Sequence, residues 1–202
     1  MNNRKIIIAE YAQSVADPNV LVAYTANGGR LDLHRCDVPD KRVTKGQLYV
    51  TGSGLFFSLT KRGGLRQINV QFSPAMRIPG RKCHNGQRGN LYPKVMSYGE
   101  IACHILVCTA FHGPRPTING IRYQCDHKNG DIMDCSKDNL EWVTPAENAK
   151  RAKLLRVLRN IGRDPRKMSY AELDAIFAKK DAALKVRAQN KIINNAGYKP
   201  AQ

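Results

Sequence analysis

The sequence predicts an α+β fold with three parts: a β-rich N-terminal region (residues 1–97), a small core in which two strands run into a capped helix (98–162), and a helical C-terminal extension (163–202). Three observations carry that reading. Apolar residues alternate in period two around glycine-bearing turns in the first hundred residues; a strand, a polar loop and a second strand between 121 and 143 lead into a helix-start signal at Thr144; and a second helix-start signal stands at Ser169.

Taken in order, Val20 to Thr25 alternates up to Asn27-Gly28-Gly29 and Leu31-Asp32-Leu33 alternates after it, a hairpin whose glycines supply positive φ. A second pair of short strands is expected at Leu48-Tyr49-Val50 and Leu55-Phe56-Phe57. Gly63-Gly64, Pro74, Pro79-Gly80 and the stretch from Gly86 to Gly89 then break the chain into loops that carry Arg77, Arg81, Lys82 and Arg88. Solvated loop basics would look the same, but phosphate contact is the preferred reading. From Gly99 to His112, Ile101, Ile105 and Cys108 recur at helical spacing and Gly113-Pro114 supplies a stop, which predicts a short buried helix.

Ile121 to Cys125 and Leu140 to Val143 fit strands, separated by a polar loop from Lys128 to Asp138. Thr144-Pro145-Ala146-Glu147 then offers a capping hydroxyl, a proline at the first helical position and a glutamate at the third, a capping box that starts a helix at Pro145. That helix should run to about Asn160, with Leu154, Leu158 and Ile161 on one face and Arg151, Arg156 and Arg159 mostly elsewhere. A second box, Ser169-Tyr170-Ala171-Glu172, opens an amphipathic helix through roughly Gln189, with Leu173, Ile176, Phe177 and Leu184 as its apolar stripe and a frayed polar tail beyond Asn190.

A formal charge of +17 exceeds what solubility needs and points to a polyanionic partner, nucleic acid or an anionic membrane surface. No apolar stretch approaches the ~20 residues of a membrane span, and the Ile6–Ile8 run is too short for an export signal, so nucleic acid in a reducing cytoplasm is expected. Cys36, Cys83, Cys103, Cys108, Cys125 and Cys135 are accordingly expected as thiols or metal ligands, not disulfides. They form no Cys-x-x-Cys pair, so structural zinc is not expected. The charge is uneven: 15 basic and 6 acidic residues in 1–100, 4 and 5 in 101–144, 14 and 5 in 145–202. Carboxylates inside an otherwise basic chain fit a bound cation, although solvated loop carboxylates give the same count.

The strand end at Asp126-His127 and the first turns of the capped helix, with Asn148, face one another across the polar loop. A carboxylate and an amide oxygen suit Mg²⁺ or Mn²⁺ held with waters and a phosphate oxygen, and an imidazole can take a proton from water. Singly, each residue is ordinary: an Asp-His pair is usually a surface loop, and an Asn one turn into a helix is usually solvated. Trp142 and Tyr123, on the short strands, are expected to pack the core and not to stack on bases.

Together, Asp126-His127-Lys-Asn-Gly-Asp131, Asp138-Asn139-Leu140-Glu141-Trp142-Val143-Thr144 and Glu147-Asn148, with His104-Ile-Leu-Val107 and Phe111 upstream, resemble the phage-type HNH homing endonucleases. The intervals of 13 residues from Asp126 to Asn139 and 9 from Asn139 to Asn148 are similar to that family's, and the likeness covers about residues 98–155. It implies a ββα-metal catalytic core in which His127 is the general base, Asp126 and Asn148 hold one Mg²⁺ or Mn²⁺, and Asn139 and His104 are structural. It also implies a metal-dependent endonuclease that hydrolyses double-stranded DNA by nicking or cutting both strands, site-selective in the manner of a homing enzyme and housed in the cytoplasm of a bacterial or phage-infected cell.

Two departures stand out: Ile105 replaces the arginine that usually follows the helix histidine, and Asn148 stands where many relatives have histidine. The DNA-contact candidates are Arg77, Arg81, Lys82 and Arg88 in the loops and Arg151, Arg156 and Arg159 on the capped helix. On this reading the catalytic unit is complete near Asn160, and the C-terminal extension governs where the enzyme cuts; the alternative is a solvated helix that merely covers the core. A non-catalytic DNA-binding protein that keeps the fold is the alternative, and an RNA-directed nuclease or binder ranks behind both because no aromatic single-strand platform is evident. No protein partner follows from the sequence.

Overall fold

A computed structural model describes residues 6–36, 46–72, 92–95 and 101–197. Strands β1 (Ile8–Gln13), β2 (Val20–Thr25), β3 (Arg30–Arg35), β4 (Gln47–Val50), β5 (Phe56–Leu59) and β6 (Leu65–Ile68) form one antiparallel sheet in sequence order. The expected hairpin pairs Leu21 with Leu33 and Ala23 with Leu31. The sheet curls until its edges meet: the Ile6 amide donates to the Gln67 side chain, and the Tyr11 hydroxyl donates to the Gly63 carbonyl. β1 and β6 escape the sequence pattern because neither buries a residue fully, and their place is set by this closure.

At β4 and β5 both faces of the sheet are buried, and that is why Phe56 and Phe57 are adjacent in sequence yet both fully enclosed. Phe57 joins Leu21, Ala23, Leu33 and Tyr49 inside the curl. Phe56 points the other way with Leu48 and Val50 into a second core. Each such side chain contributes about 1.5–3 kcal/mol relative to exposure.

The second core is closed by a three-stranded sheet and a helix. β7 (Gln71–Phe72), β8 (Pro93–Val95) and β9 (Ile101–Ala102) pair in that order, and α1 (Cys103–His112) follows directly. Of the expected stripe of Ile101, Ile105 and Cys108, Cys108 is buried in the core and Ile101 packs against it while Ile105 is half-buried, and α1 buries Cys103, Leu106 and Val107 besides. Ile101 lies in β9, and α1 is packed between the curled sheet and the strand at Leu140, so its buried positions run consecutively instead of along one stripe. This core joins Cys36, Leu48, Val50 and Phe56 to Cys135 and Leu140, with Trp142 packed against it.

The expected strand at 121–125 is divided. β10 (Thr117–Ile118) and β11 (Ile121–Arg122) make a small exposed hairpin through Asn119 and Gly120, both at positive φ, and β12 (Gln124–His127) starts afresh after Tyr123. β12 pairs antiparallel with β13 (Leu140–Val143), setting Asp126 opposite Glu141 and His127 opposite Leu140. Helix α2 (Pro145–Asn160) begins on the full capping box between Thr144 and Glu147. A 3-10 turn at Pro165–Lys167 leads to α3 (Tyr170–Gly197), opened by the Ser169–Glu172 box.

Two expectations about these helices are corrected. Leu155 and Leu158 are the buried face of α2, while Ile161, 65% exposed, leaves the helix at its C-terminus. The chain reverses at Gly162 and lays Leu173 and Phe177 of α3 against Leu155 and Leu158, so the buried face is the one α3 covers. Leu184 stays partly exposed, and α3 continues past Gln189 to Gly197 because no glycine or proline interrupts it earlier.

Candidate functional site

β12 and α2 meet in two rungs. Gln124 and Asp126, two apart on the strand, share one face; Asn148 and Arg151, three apart on the helix, share another. Asn148 Nδ2 donates to Gln124 Oε1 at 2.8 Å, and Arg151 Nη1 donates to Asp126 Oδ2 at 3.4 Å. The capping box fixes this register: it starts α2 at Pro145 and so places Asn148 one turn in, its backbone amide on Thr144 O at 2.9 Å. Because Gln124 takes the amide nitrogen, the oxygen is the atom with which Asn148 would meet a cation.

Asp126 is 8% exposed, and burial pushes its carboxyl upward against the opposing pull of Arg151. Arg151 also donates to Glu141 from the same nitrogen, and its guanidinium lies 4.8 Å over the Phe177 ring. Arg151 is therefore engaged within the fold, whereas Arg156 and Arg159 are exposed on α2. Arg77, Arg81, Lys82 and Arg88 lie outside the described residues, as does Cys83.

His127 follows Asp126 and so points to the opposite face of β12, toward α1. Its ring meets the edge of His104 with centroids 5.2 Å apart, and Tyr92 lies 4.7 Å from His104 and 6.2 Å from His127. Burial takes His127 down to about 4 and His104 to about 3, so both rings are neutral at pH 7. His127 Nε2 and His104 Nδ1 are buried without a hydrogen-bond partner among the described residues. The structure thus brings Asp126 and Asn148 to one interface and sets His127 beside His104 on the other side of the same strand end.

The loop from Lys128 to Asp138 is held from within. Asn139, fully buried, accepts from the Asn129 amide at 3.0 Å and donates to the Asp134 carbonyl at 2.8 Å, while the Lys128 amide bonds its carbonyl. Asp134, which the sequence did not single out, collects the remaining donors: Asn129 Nδ2, the Ser136 hydroxyl and, from α3, the Tyr170 hydroxyl at 2.7 Å. Burial alone would raise the Asp134 carboxyl, but these hydrogen bonds outweigh it and hold it below its ordinary value. The partners of Glu141, Arg151 and Tyr170 were not legible in the sequence, where Arg151 was a DNA-contact candidate only, since nothing local marks a residue whose partner is 10 to 36 positions away.

Among the described residues no group of three or more His, Cys, Asp and Glu side chains stands ready to hold a metal ion. Cys103, Cys108, Cys125 and Cys135 are free thiols in or against the second core; burial raises Cys103 and Cys135, and a hydrogen bond with Cys108, then burial, raises Cys125, which keeps all three protonated. No helix among the described residues is long and apolar enough to cross a membrane.

Residues 102–150 match the family model described as HNH endonuclease, a stretch that runs from the start of α1 through β12 and β13 into α2 and contains His104, Asp126, His127, Asn139 and Asn148. No curated protein and no solved structure matches the chain.

Proposed function

We propose that this chain, carrying an HNH endonuclease domain, is a metal-dependent endonuclease that hydrolyses phosphodiester bonds of double-stranded DNA. The observation that carries the reading is the Nε2 of a buried, neutral His127, which has no partner among the described residues and lies one residue from a carboxylate beside the Asn148 rung. A buried polar atom left without a partner costs about 1–3 kcal/mol, which selection tolerates where a substrate group completes the bond.

One carboxylate and one amide oxygen form a donor set that fits Mg²⁺ or Mn²⁺, an ion that keeps several waters and shares a substrate phosphate. Asp126 and Asn148 would hold it. When bound, such an ion neutralises charge on the phosphorane and stabilises the departing 3′ oxygen. His127 accepts the proton of the attacking water at Nε2, with Tyr92 and His104 fixing the plane of its ring. Asn139 holds the strand end that carries His127, acting through the loop. The basic termini would follow the DNA backbone and confer homing-like site selectivity.

A second reading, a DNA-binding protein that keeps this domain without cutting, is favoured by one observation: Arg151 already neutralises Asp126. Incubation with supercoiled plasmid in EDTA, Mg²⁺ or Mn²⁺ separates the two. Relaxed or linear DNA only with a divalent ion is expected. A retarded but intact plasmid in every condition would establish the binder, and cleavage of a parallel RNA duplex alone would move the substrate to RNA.

A further inference from the structure

Asp126 and Glu141 are directly opposite on β12 and β13, a placement that sets two carboxylates against each other. One nitrogen of Arg151 lies between them, bonded to Glu141 Oε1 and, at 3.4 Å, to Asp126 Oδ2. The two bonds are unequal. The Asp126 contact is near the outer limit for a hydrogen bond, and the Glu141 contact is the closer of the two. Phe177 supports the guanidinium from the α3 side, so the cation is held from Glu141 and the ring and only leans on Asp126.

We propose that Arg151 is a positioning residue for the metal site: a built-in counter-ion that keeps Asp126 neutralised until a divalent cation displaces it, with Glu141 retaining the guanidinium beside the site. The inference rests on the assignment of Asp126 as a metal ligand. Its physical content is a competition. A divalent ion taken up by Asp126 competes with Arg151 for Oδ2 and must tolerate a positive charge nearby, so Arg151 weakens metal affinity in the absence of DNA. Once displaced from Asp126, the same guanidinium has an unused fork with which to bind a phosphate oxygen drawn to the site. Metal uptake and DNA uptake would then reinforce each other.

The test is MnCl₂ titration of the full chain without DNA, followed by calorimetry, for wild type, Arg151→Gln, Arg151→Lys and Asp126→Asn. Arg151→Gln should bind Mn²⁺ about tenfold more tightly, because a neighbouring charge has gone, while Arg151→Lys stays close to wild type. Merely structural loss of Arg151 would weaken binding instead, and equal or weaker Mn²⁺ affinity in a folded Arg151→Gln protein overturns the proposal. Asp126→Asn should lose Mn²⁺ binding. Retention there would sink the metal assignment itself, whatever Arg151 does. A wild-type measurement covers the case in which Arg151→Gln does not fold: the Arg151 Nε–Hε resonance, assigned through the Arg151→Lys spectrum, should move along the Mg²⁺ binding isotherm. An unmoved resonance under saturating Mg²⁺ overturns the displacement.

Discussion

At His127 two demands pull against each other. A general base works best when its pKa lies near the working pH, yet burial has taken this imidazole to about 4. The ring is therefore neutral and able to accept a proton, and an anionic phosphate arriving beside it raises its basicity. Replacing His127 by Ala should cut the cleavage rate by roughly 10²–10⁴-fold with little change in DNA affinity, because the proton transfer belongs to the transition state. Single-turnover cleavage alongside a binding isotherm checks this, and near-normal turnover would remove His127 from the role. The same burial has a thermodynamic signature. His104 and His127 bind protons in the unfolded chain below about 6.5 but in the folded chain only near 3 and 4, so the unfolded state holds more protons between those limits. Stability contributed by the neutral rings is complete above 6.5 and is lost as pH falls toward 4. Thermal melts from pH 7.5 to 4.5 should show this fall, and His104→Phe should flatten it; an unchanged slope in that variant would mean that His104 is not buried neutral.

At the scale of elements, the candidate site is a strand end whose two faces are dressed by two helices, α2 carrying Asn148 and Arg151 and α1 the second histidine. What holds the intervening loop in place comes partly from the distant curled sheet. The β4–β5 turn reaches the loop through the Lys137 amide, which donates to Gly52 O at 2.8 Å, and through Gly54, whose φ is 81° and whose α-carbon faces the Cys135 carbonyl so closely that a Cβ would lie 2.8 Å from its oxygen. Gly54→Ala combines left-handed strain with a backbone clash and should cost about 2–4 kcal/mol, separating the sheet from the loop. Urea unfolding measures it. A loss below about 0.5 kcal/mol, within the range of ordinary surface substitutions, would show that the turn and the loop are not coupled.

For the molecule as a whole, the α3 contacts tie the C-terminal extension to the unit that ends near Asn160. Leu173 and Phe177 cover Leu155 and Leu158, Tyr170 bonds Asp134, and Phe177 lies under Arg151. A chain ending at Gly162 should therefore melt earlier and cut more slowly, in addition to any change in where it cuts. The role of α3 in gripping DNA is separable from its packing. Lys179, Lys180, Lys185 and Arg187 are all exposed, and replacing the four by Gln should leave the fold intact. If they neutralise phosphates, the slope of log affinity against log salt should flatten by about 0.9 for each phosphate that the variant leaves to its counterions. An unchanged slope with unchanged cut sites would assign α3 to packing alone.

The start of α2 was legible because a capping box is local: hydroxyl, proline and glutamate satisfy helix-end amides within four residues and need no distant partner. That start places Asn148 one turn into the helix, whereas Asp126 and His127 were named from the resemblance of the residues around them, and only the pairing of β12 shows which way each points. The β2–β3 hairpin, like the capping box, was legible because it is local. Arg151 could not be assigned this way. On sequence it is one more basic residue of a basic helix, and only the pairing of β12 with β13, together with the return of α3, surrounds it with Asp126, Glu141 and Phe177. The hub at Asp134, the closure of the curled sheet and the choice of Leu155 over Leu154 for burial were likewise decided by the tertiary structure. Local hydrogen bonds are written in neighbouring residues, whereas the burial and charge environment of a side chain depend on what the rest of the chain brings against it.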